Sequence, residues 1–378
     1  MLRVCTIKGG RNNVDAQKNA LSGLGRTSDY RSSGRLWRRH PSKAPSGGAA
    51  ASTPPASDTS APTTPANDET VYTMKVAGSG IDNHTDYMLN LFEELVEKKS
   101  DGRIQVDYYP NLQLGSIREY YEACQRGQVQ AAEGGSVIMS NFTSKLDFMS
   151  LPMLFDNREA VQAFMNGEVG QQLVLDIAEE TNLYLLMMCE NGFQALSNNK
   201  REIHSPDNMN GLKIRTQENP ILLKIYETLG ADPTPLAYSE LFTALQQGTV
   251  DGQVNPAVVM ATTNIWEVQK YVSDTNLMYD MISVAINYDF FKSLPEDLQQ
   301  VVVECGREAC QAELEYCSAD YLGVLEENGM TVTRLTDEER AAFKEAVQPV
   351  YDWFRSEYDE PNLDKYLEAI DAANEATG

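Results

Sequence analysis

The sequence predicts an α/β protein of two lobes, each a mixed, mainly parallel sheet flanked by helices, with a long helix bracing the pair. Three observations predict it. Residues 71–136 alternate strand and helix patterns in the order β-α-β-α-β. Residues 212–256 hold a second strand–helix set able to form its own sheet. From Pro295 to about Glu327 one helical pattern runs on, with apolar positions such as Leu298, Val302, Ala309 and Leu325. At 1.5 Å per residue that helix would reach roughly 45–50 Å, longer than one lobe is wide.

Each element has its own local reason. Val71–Ala77 alternates apolar and polar residues, a strand of period two, and Gly78-Ser79-Gly80 ends it. Residues 84–100 place Tyr87, Leu91 and Leu95 at helical spacing, and Asp101-Gly102 turns the chain into a strand over 103–109. Ser116, with Glu119 three residues on, makes a capping box for a helix to Arg126. Gln128–Ala132 is a third strand, running into Gly134-Gly135-Ser136. Ligands on such sheets sit at the carboxyl ends of strands, here 78–84 and 133–136. Leu146–Phe155 is apolar and crosses the face of the lobe; residues 157–180 read as helical, with Gly167 and Gly170 allowing a break. Leu183–Cys189 is a buried strand suited to pass between lobes, and Asn191-Gly192-Phe193-Gln194 reads as a turn after it.

In the second set, Leu212–Arg215 is a strand, and Asn219-Pro220 opens a helix that Gly230 closes. Ala231–Leu236 is extended, since its two prolines forbid a helix. Ser239 is expected to cap a helix to Gln247. Thr249–Val254 is a strand, with Asn255-Pro256 expected as N-cap and first turn of the next helix. Residues 281–287 alternate as a strand able to return to the first lobe. Met330–Leu335 is a last strand, and residues 337–354 and 363–373 are helices.

The formal charge of the 378 residues is −24. Residues 1–70 carry 10 Lys+Arg against 5 Asp+Glu, so this head is +5 and the remainder −29. A surface so acidic argues against nucleic acid or an anionic membrane as partner and suits a monomer. No window of 18 apolar residues spans a membrane. Residues 46–70 form a Ser/Thr/Pro/Ala tract that reads as a linker, of the kind that tethers lipid-anchored surface proteins. Residues 1–45 lack the apolar core of a secretory signal. They are read as the product of a misplaced start or a frameshift upstream of the true export signal, with a genuine basic tail as the alternative. The six cysteines show neither a CxxC pair nor zinc-ligand spacing, and they are read as small buried hydrophobes.

Enzyme signatures do not occur: no HExxH, GxSxG, GxGxxG or GxxxxGK[ST] is present, and the three histidines, His40, His84 and His204, are scattered. No enzyme activity, cofactor or metal is expected.

A family resemblance does occur. Leu112-Gln113-Leu114-Gly115, Asn210–Arg215, Leu229-Gly230-Ala231, Thr234–Glu240, Thr243–Gln246, Val250–Pro256, Glu267–Tyr271 and Leu294–Gln299 stand in this order. On these residues the chain, from about Tyr72 to Leu367, resembles the TRAP-transporter solute-binding proteins of the DctP-like family. The resemblance implies a periplasmic-binding-protein-like fold with a hinge and a bracing helix. It also implies an extracytoplasmic receptor, periplasmic or lipid-anchored at the outer face of the cell membrane, that delivers a small organic acid to TRAP permease subunits. The lobes would divide as 72–191 with 281–325, and 192–280 with 326–378.

Arg215 matches the family's carboxylate-binding arginine, and a guanidinium fork suits a carboxylate. Asn255 matches an asparagine facing the same ligand, and Tyr238 an aromatic wall. Ser79, Asn83, His84 and Ser136 lie on first-lobe loops where the family's contacts fall. Many relatives carry a second arginine where this chain has Gln194, and often a histidine where it has Leu277. The ligand is therefore expected to carry one carboxylate, or to offer hydroxyls or an amide near Gln194. Two other readings stay open: a ligand-sensing partner of a signalling receptor, and a sugar-acid-modifying enzyme.

Overall fold

The computed structural model describes residues 70–378, so the expectations for the basic head and for the linker up to residue 69 lie outside the described residues. Strand β1 (Tyr72–Ala77) leads into α1 (His84–Lys99), whose Asn83 cap accepts from the Asp86 backbone N–H. Strand β2 (Ile104–Tyr109), helix α2 (Ile117–Gln125) and strand β3 (Ala131–Gly135) follow. The capping box of Ser116 and Glu119 forms as the sequence predicts. After a short helix α3 (Ser136–Met139), 3-10 turns carry the apolar 144–150 segment to α4 (Arg158–Asn166) and α5 (Glu168–Thr181).

Strand β4 (Leu183–Asn198) is the spine of the molecule. Its first part pairs antiparallel with β9 (Tyr279–Asn287); residues 194–198 pair instead with β7 (Gly252–Pro256), and residues 196–198 also with β8 (Tyr271–Ser273). The partner change falls between Phe193 and Gln194. The expected turn at Asn191–Gln194 is therefore absent, and the strand runs through it. Gly192 explains the difference: at φ +111° it sits in a register shift between Glu190 and Gly192. A glycine at positive φ inside a strand marks a bulge as readily as a turn. The strand bends here rather than reversing.

Beyond β4 the chain forms β5 (Lys213–Thr216), α6 (Pro220–Thr228), β6 (Asp232–Pro235), α7 (Leu241–Gln247) and α8 (Ala257–Thr262), the last directly after β7. The sheet order is β2-β1-β3-β9-β4-β7-β5-β6, with β10 (Thr331–Thr333) added to β8. The β2-β1-β3 and β7-β5-β6 ends are parallel, and the β9-β4 middle is antiparallel to its neighbours. Ser239 does not cap α7: residues 238–240 form a 3-10 turn, and Glu240 occupies the cap position. Asn255 is not an N-cap either, since it lies in β7 and Pro256 takes that place.

Helix α9 (Tyr288–Ser293) precedes α10 (Glu296–Cys317), which packs against α1 and β4. Its 22 residues span roughly 33 Å. The predicted longer helix is broken at residues 318–320, because Asp320 turns its carboxylate onto the Gly323 N–H and starts α11 (Tyr321–Glu327). Aspartate competes for backbone donors and so favours a new cap over continuation. Helices α12 (Asp337–Ala346), α13 (Gln348–Glu357) and α14 (Leu363–Thr377) end the chain. Tyr366 of α14 stacks on Phe148 at 4.5 Å, and Asn374 donates to the Leu154 carbonyl.

The cysteines depart from expectation in one respect. Cys189 of β4 and Cys310 of α10 form a disulfide that spans 121 residues of sequence. Cys124, Cys305 and Cys317 are free and buried, as small hydrophobes are.

Candidate functional site

Both halves of the sheet contribute to one cleft of about 790 Å³, counting its open mouth. Ser79, Asn83 and His84 enter from the β1–α1 connection, Glu133 and Gly135 from the end of β3, and Arg215 and Asn255 from β5 and β7. Tyr238 and Leu236 complete the wall after β6. The residues predicted from sequence thus converge, with two exceptions. Gln194 and Ser136 are buried behind the wall rather than in it: Gln194 Nε2 donates to Gln217 at 3.2 Å, and Ser136 Oγ to Asp280 at 3.3 Å.

Arg215 is 1 % exposed. Its Nε and Nη2 donate to the Leu236 carbonyl at 3.0 and 2.7 Å, while Nη1 is buried without a partner. Burial holds its pKa down at about 10. The free edge of the fork, Nη1 and the outer hydrogen of Nη2, remains available for one carboxylate. Asn255 Nδ2 donates to Gln253 Oε1 at 2.6 Å, so its second N–H and its carbonyl oxygen are left for other contacts.

Five cleft residues escaped sequence reasoning. Asp280, fully buried, accepts from Asn191 at 2.9 Å and from Gln217 at 3.3 Å. Asn191 and Gln217 line the cleft with it. Glu133 accepts from the Ser79 backbone N–H at 2.7 Å and its hydroxyl at 2.9 Å, yet its Oε1 is buried without a partner. Arg118, at the start of α2, is half-buried at the cleft wall. Arg118 and Glu133 had a sequence signal: Arg118 lies two residues past the Ser116 cap, close after Leu112–Gly115, and Glu133 opens the 133–136 strand end. Acidic residues are so common here that Asp280 could not be singled out.

Burial raises Glu133 to about 7 and Asp280 to about 6, and lowers His84 to about 4. For His84, the folded state refuses a proton that the unfolded chain binds, so stability rises with pH up to the ordinary value of 6.5. Glu133 works oppositely: the folded state keeps a proton that the unfolded chain has released, so stability falls as pH rises through 7. Above 6.5 only the second effect of this pair remains. From pH 6.5 to about 8.5, Glu133 should lower the stability of the unliganded protein by on the order of 1 kcal/mol. Thermal denaturation should show Glu133→Gln losing less stability than the parent across that interval. Parallel curves would mean that Glu133 is already ionised.

A two-lobed α/β architecture with a polar cleft between parallel strand ends defines the class of ligand-enclosing binding proteins. Comparison with known proteins is specific within that class. The family model for bacterial extracellular solute-binding protein, family 7 (DctP), matches residues 78–357. The C4-dicarboxylate-binding periplasmic protein DctP of Rhodobacter capsulatus is 36 % identical over 279 residues, covering 69 % of this chain and 79 % of that protein. A TRAP periplasmic solute-binding protein from Polaromonas sp. JS666, bound to D-erythronate, matches with TM-score 0.74 and 31 % identity over 79 % of this chain and 98 % of that one. The sugar-acid-binding protein DctPAm of Advenella mimigardefordensis, in complex with galactonate, matches with TM-score 0.77 and 27 % identity over 81 % and 100 %. The chain belongs to the DctP family of TRAP-type extracytoplasmic solute-binding receptors.

Proposed function

We propose that this receptor captures a hydroxylated monocarboxylic acid between two lobes and delivers it, chemically unchanged, to TRAP permease subunits. The observation that carries the reading is the Arg215 guanidinium, which lines the cleft and whose Nη1 is buried without a partner. An unsatisfied buried donor costs about 1–3 kcal/mol, more when charged, and a ligand carboxylate relieves that cost. On the opposite wall the acceptors are Glu133 Oε1, also unpartnered, and Asp280. Ionised Asp280, and Glu133 once it loses its proton near pH 7, would repel a second carboxylate, whereas both groups accept hydrogen bonds from hydroxyls. The ligands bound by the Polaromonas and Advenella relatives, erythronate and galactonate, have this pattern of one carboxylate and several hydroxyls.

In this reading Arg215 anchors the acid, Asn255 and Tyr238 flank it, and Ser79, Asn83 and His84 close from the other lobe. Gln194 and Ser136 position Gln217 and Asp280. The lobes are 72–191 with 281–325, and 192–280 with 326–378, hinged where β4 bends at Gly192.

A second reading is favoured by Arg118, which lines the same cleft and offers a second cation. A short dicarboxylate could span Arg215 and Arg118, as the ligand class named for the Rhodobacter relative would require. Calorimetry with erythronate, galactonate and succinate separates the two. The first reading expects the hydroxy acids to bind at least about ten-fold tighter than succinate, with Arg118→Ala changing little. Succinate binding that Arg118→Ala abolishes would select the second. NMR of the bound acid after incubation should recover it unaltered; turnover would defeat both.

A further inference from the structure

Where α1 meets the end of α10, a second polar cluster shares His84 with the cleft but does not include the Arg215 anchor. A ring nitrogen of His84, a carboxylate oxygen of Glu313 and Cys317 Sγ lie within 4.8 Å of one another. All three residues are buried. Glu313 and Cys317 are four residues apart on α10 and so share one face. His84 Nε2 sits 3.2 Å from Asn191 Oδ1, and an amide oxygen only accepts. Nε2 therefore carries the ring proton and Nδ1 keeps a bare lone pair. That Nδ1 is buried and meets no hydrogen-bond partner.

Glu313 accepts from the Cys317 thiol at 2.9 Å and from the Glu190 backbone N–H at 3.2 Å. Arg158, the cation of this neighbourhood, is already paired with Glu190 at 2.6 Å. Glu313 is thus a buried carboxyl with no cation paired to it, and burial raises its pKa to about 8.

We propose that His84 Nδ1, the Glu313 carboxylate and Cys317 Sγ form a zinc site that pins the start of α1 to the end of α10. Nitrogen, oxygen and sulfur donors together suit a borderline divalent cation. Donors around tetrahedral zinc stand ~3.5 Å apart, so side-chain adjustments of about an ångström close the site. Charge closes as well: on binding, the thiol and the Glu313 carboxyl give their protons to solvent, and zinc with one thiolate, one carboxylate and one neutral imidazole is electrically neutral. The Asn191 oxygen on Nε2–H is the outer partner that metal-bound imidazoles use to fix their tautomer. Three protein ligands leave a fourth position for water.

The full chain, freed of metal by chelation and without thiol reductant, tests this by titration with Zn²⁺ and Co²⁺. One equivalent should bind, and the cobalt form should show a thiolate-to-metal charge-transfer band in the near ultraviolet. Cys317→Ser should abolish the band and weaken Zn²⁺ binding at least about 100-fold; Glu313→Gln should weaken it about ten-fold or more and keep the band. Should Cys317→Ser fail to fold, the parent's band and the Glu313→Gln titration decide alone. Less than one equivalent, no band, or Zn²⁺ affinity unchanged in the variants would overturn the site and leave a buried water as its occupant. Carboxylate binding at Arg215 is measured separately and stands or falls independently.

Discussion

Arg215→Ala is expected to abolish ligand capture while leaving the fold intact. In the receptor the guanidinium offers Nη1 and the outer edge of Nη2 to a carboxylate, after Nε and Nη2 have satisfied the Leu236 carbonyl. Two charge-assisted hydrogen bonds contribute about 1.5–3 kcal/mol each. Losing both should weaken binding by roughly 10²–10⁴-fold. Stability moves much less. The variant loses two bonds to Leu236, but it also removes a buried cation that lacks an anion in the empty cleft, and these changes oppose each other. Arg215→Lys keeps the charge without the planar fork, so it should retain only weak binding. Calorimetry with the acid selected from the panel, alongside thermal denaturation of each variant, separates the outcomes. Unchanged affinity in both would remove Arg215 as the anchor; a collapsed melting curve would mean that its role is structural.

How far the sequence made this site legible depends on what each residue signals locally. Arg215 ends a short strand within a run of motif residues, and it lies where that reading put it. The strand–helix alternation likewise foretold the parallel ends of the sheet. What was not legible depends on contacts far apart in sequence. Asn191–Gln194 has the composition of a turn, yet pairing with Tyr279 and Pro256 pulls it straight, and Gly192 absorbs the bend. Asp280 belongs to a strand whose register against β3 and β4 alone brings it to Asn191 and Gln217. Gln194, read as a substitute for a ligand-binding cation, is set one layer back by the same pairing. There it donates to Gln217, which lines the cleft. The pairing of Cys189 with Cys310 likewise depends on how β4 lies against α10, which no local spacing encodes.

That disulfide carries the second large effect. It joins β4 just ahead of the Glu190–Gly192 bulge to the middle of α10, so it ties the bracing helix to the strand on which the two halves of the sheet turn. A bridge closing 121 residues restricts the unfolded chain strongly. Chain-entropy arguments give somewhat under 5 kcal/mol for loops of this length, and removal of native bridges costs about 2–5 kcal/mol. For a chain of this size that is a fall in Tm of roughly 3–8 °C. An extracytoplasmic location is oxidising enough to keep such a bridge formed. Mild reduction should therefore expose two further titratable thiols and lower Tm by that amount, and a Cys189→Ala, Cys310→Ala double variant should melt as the reduced protein does and ignore reductant. Ligand should raise Tm in both forms, because Arg215 is untouched, but closure should tighten less where α10 no longer holds β4. Reduction confirmed by thiol count with Tm unmoved would mean that packing of α10 on β4 suffices by itself and that the bridge adds nothing to the hinge.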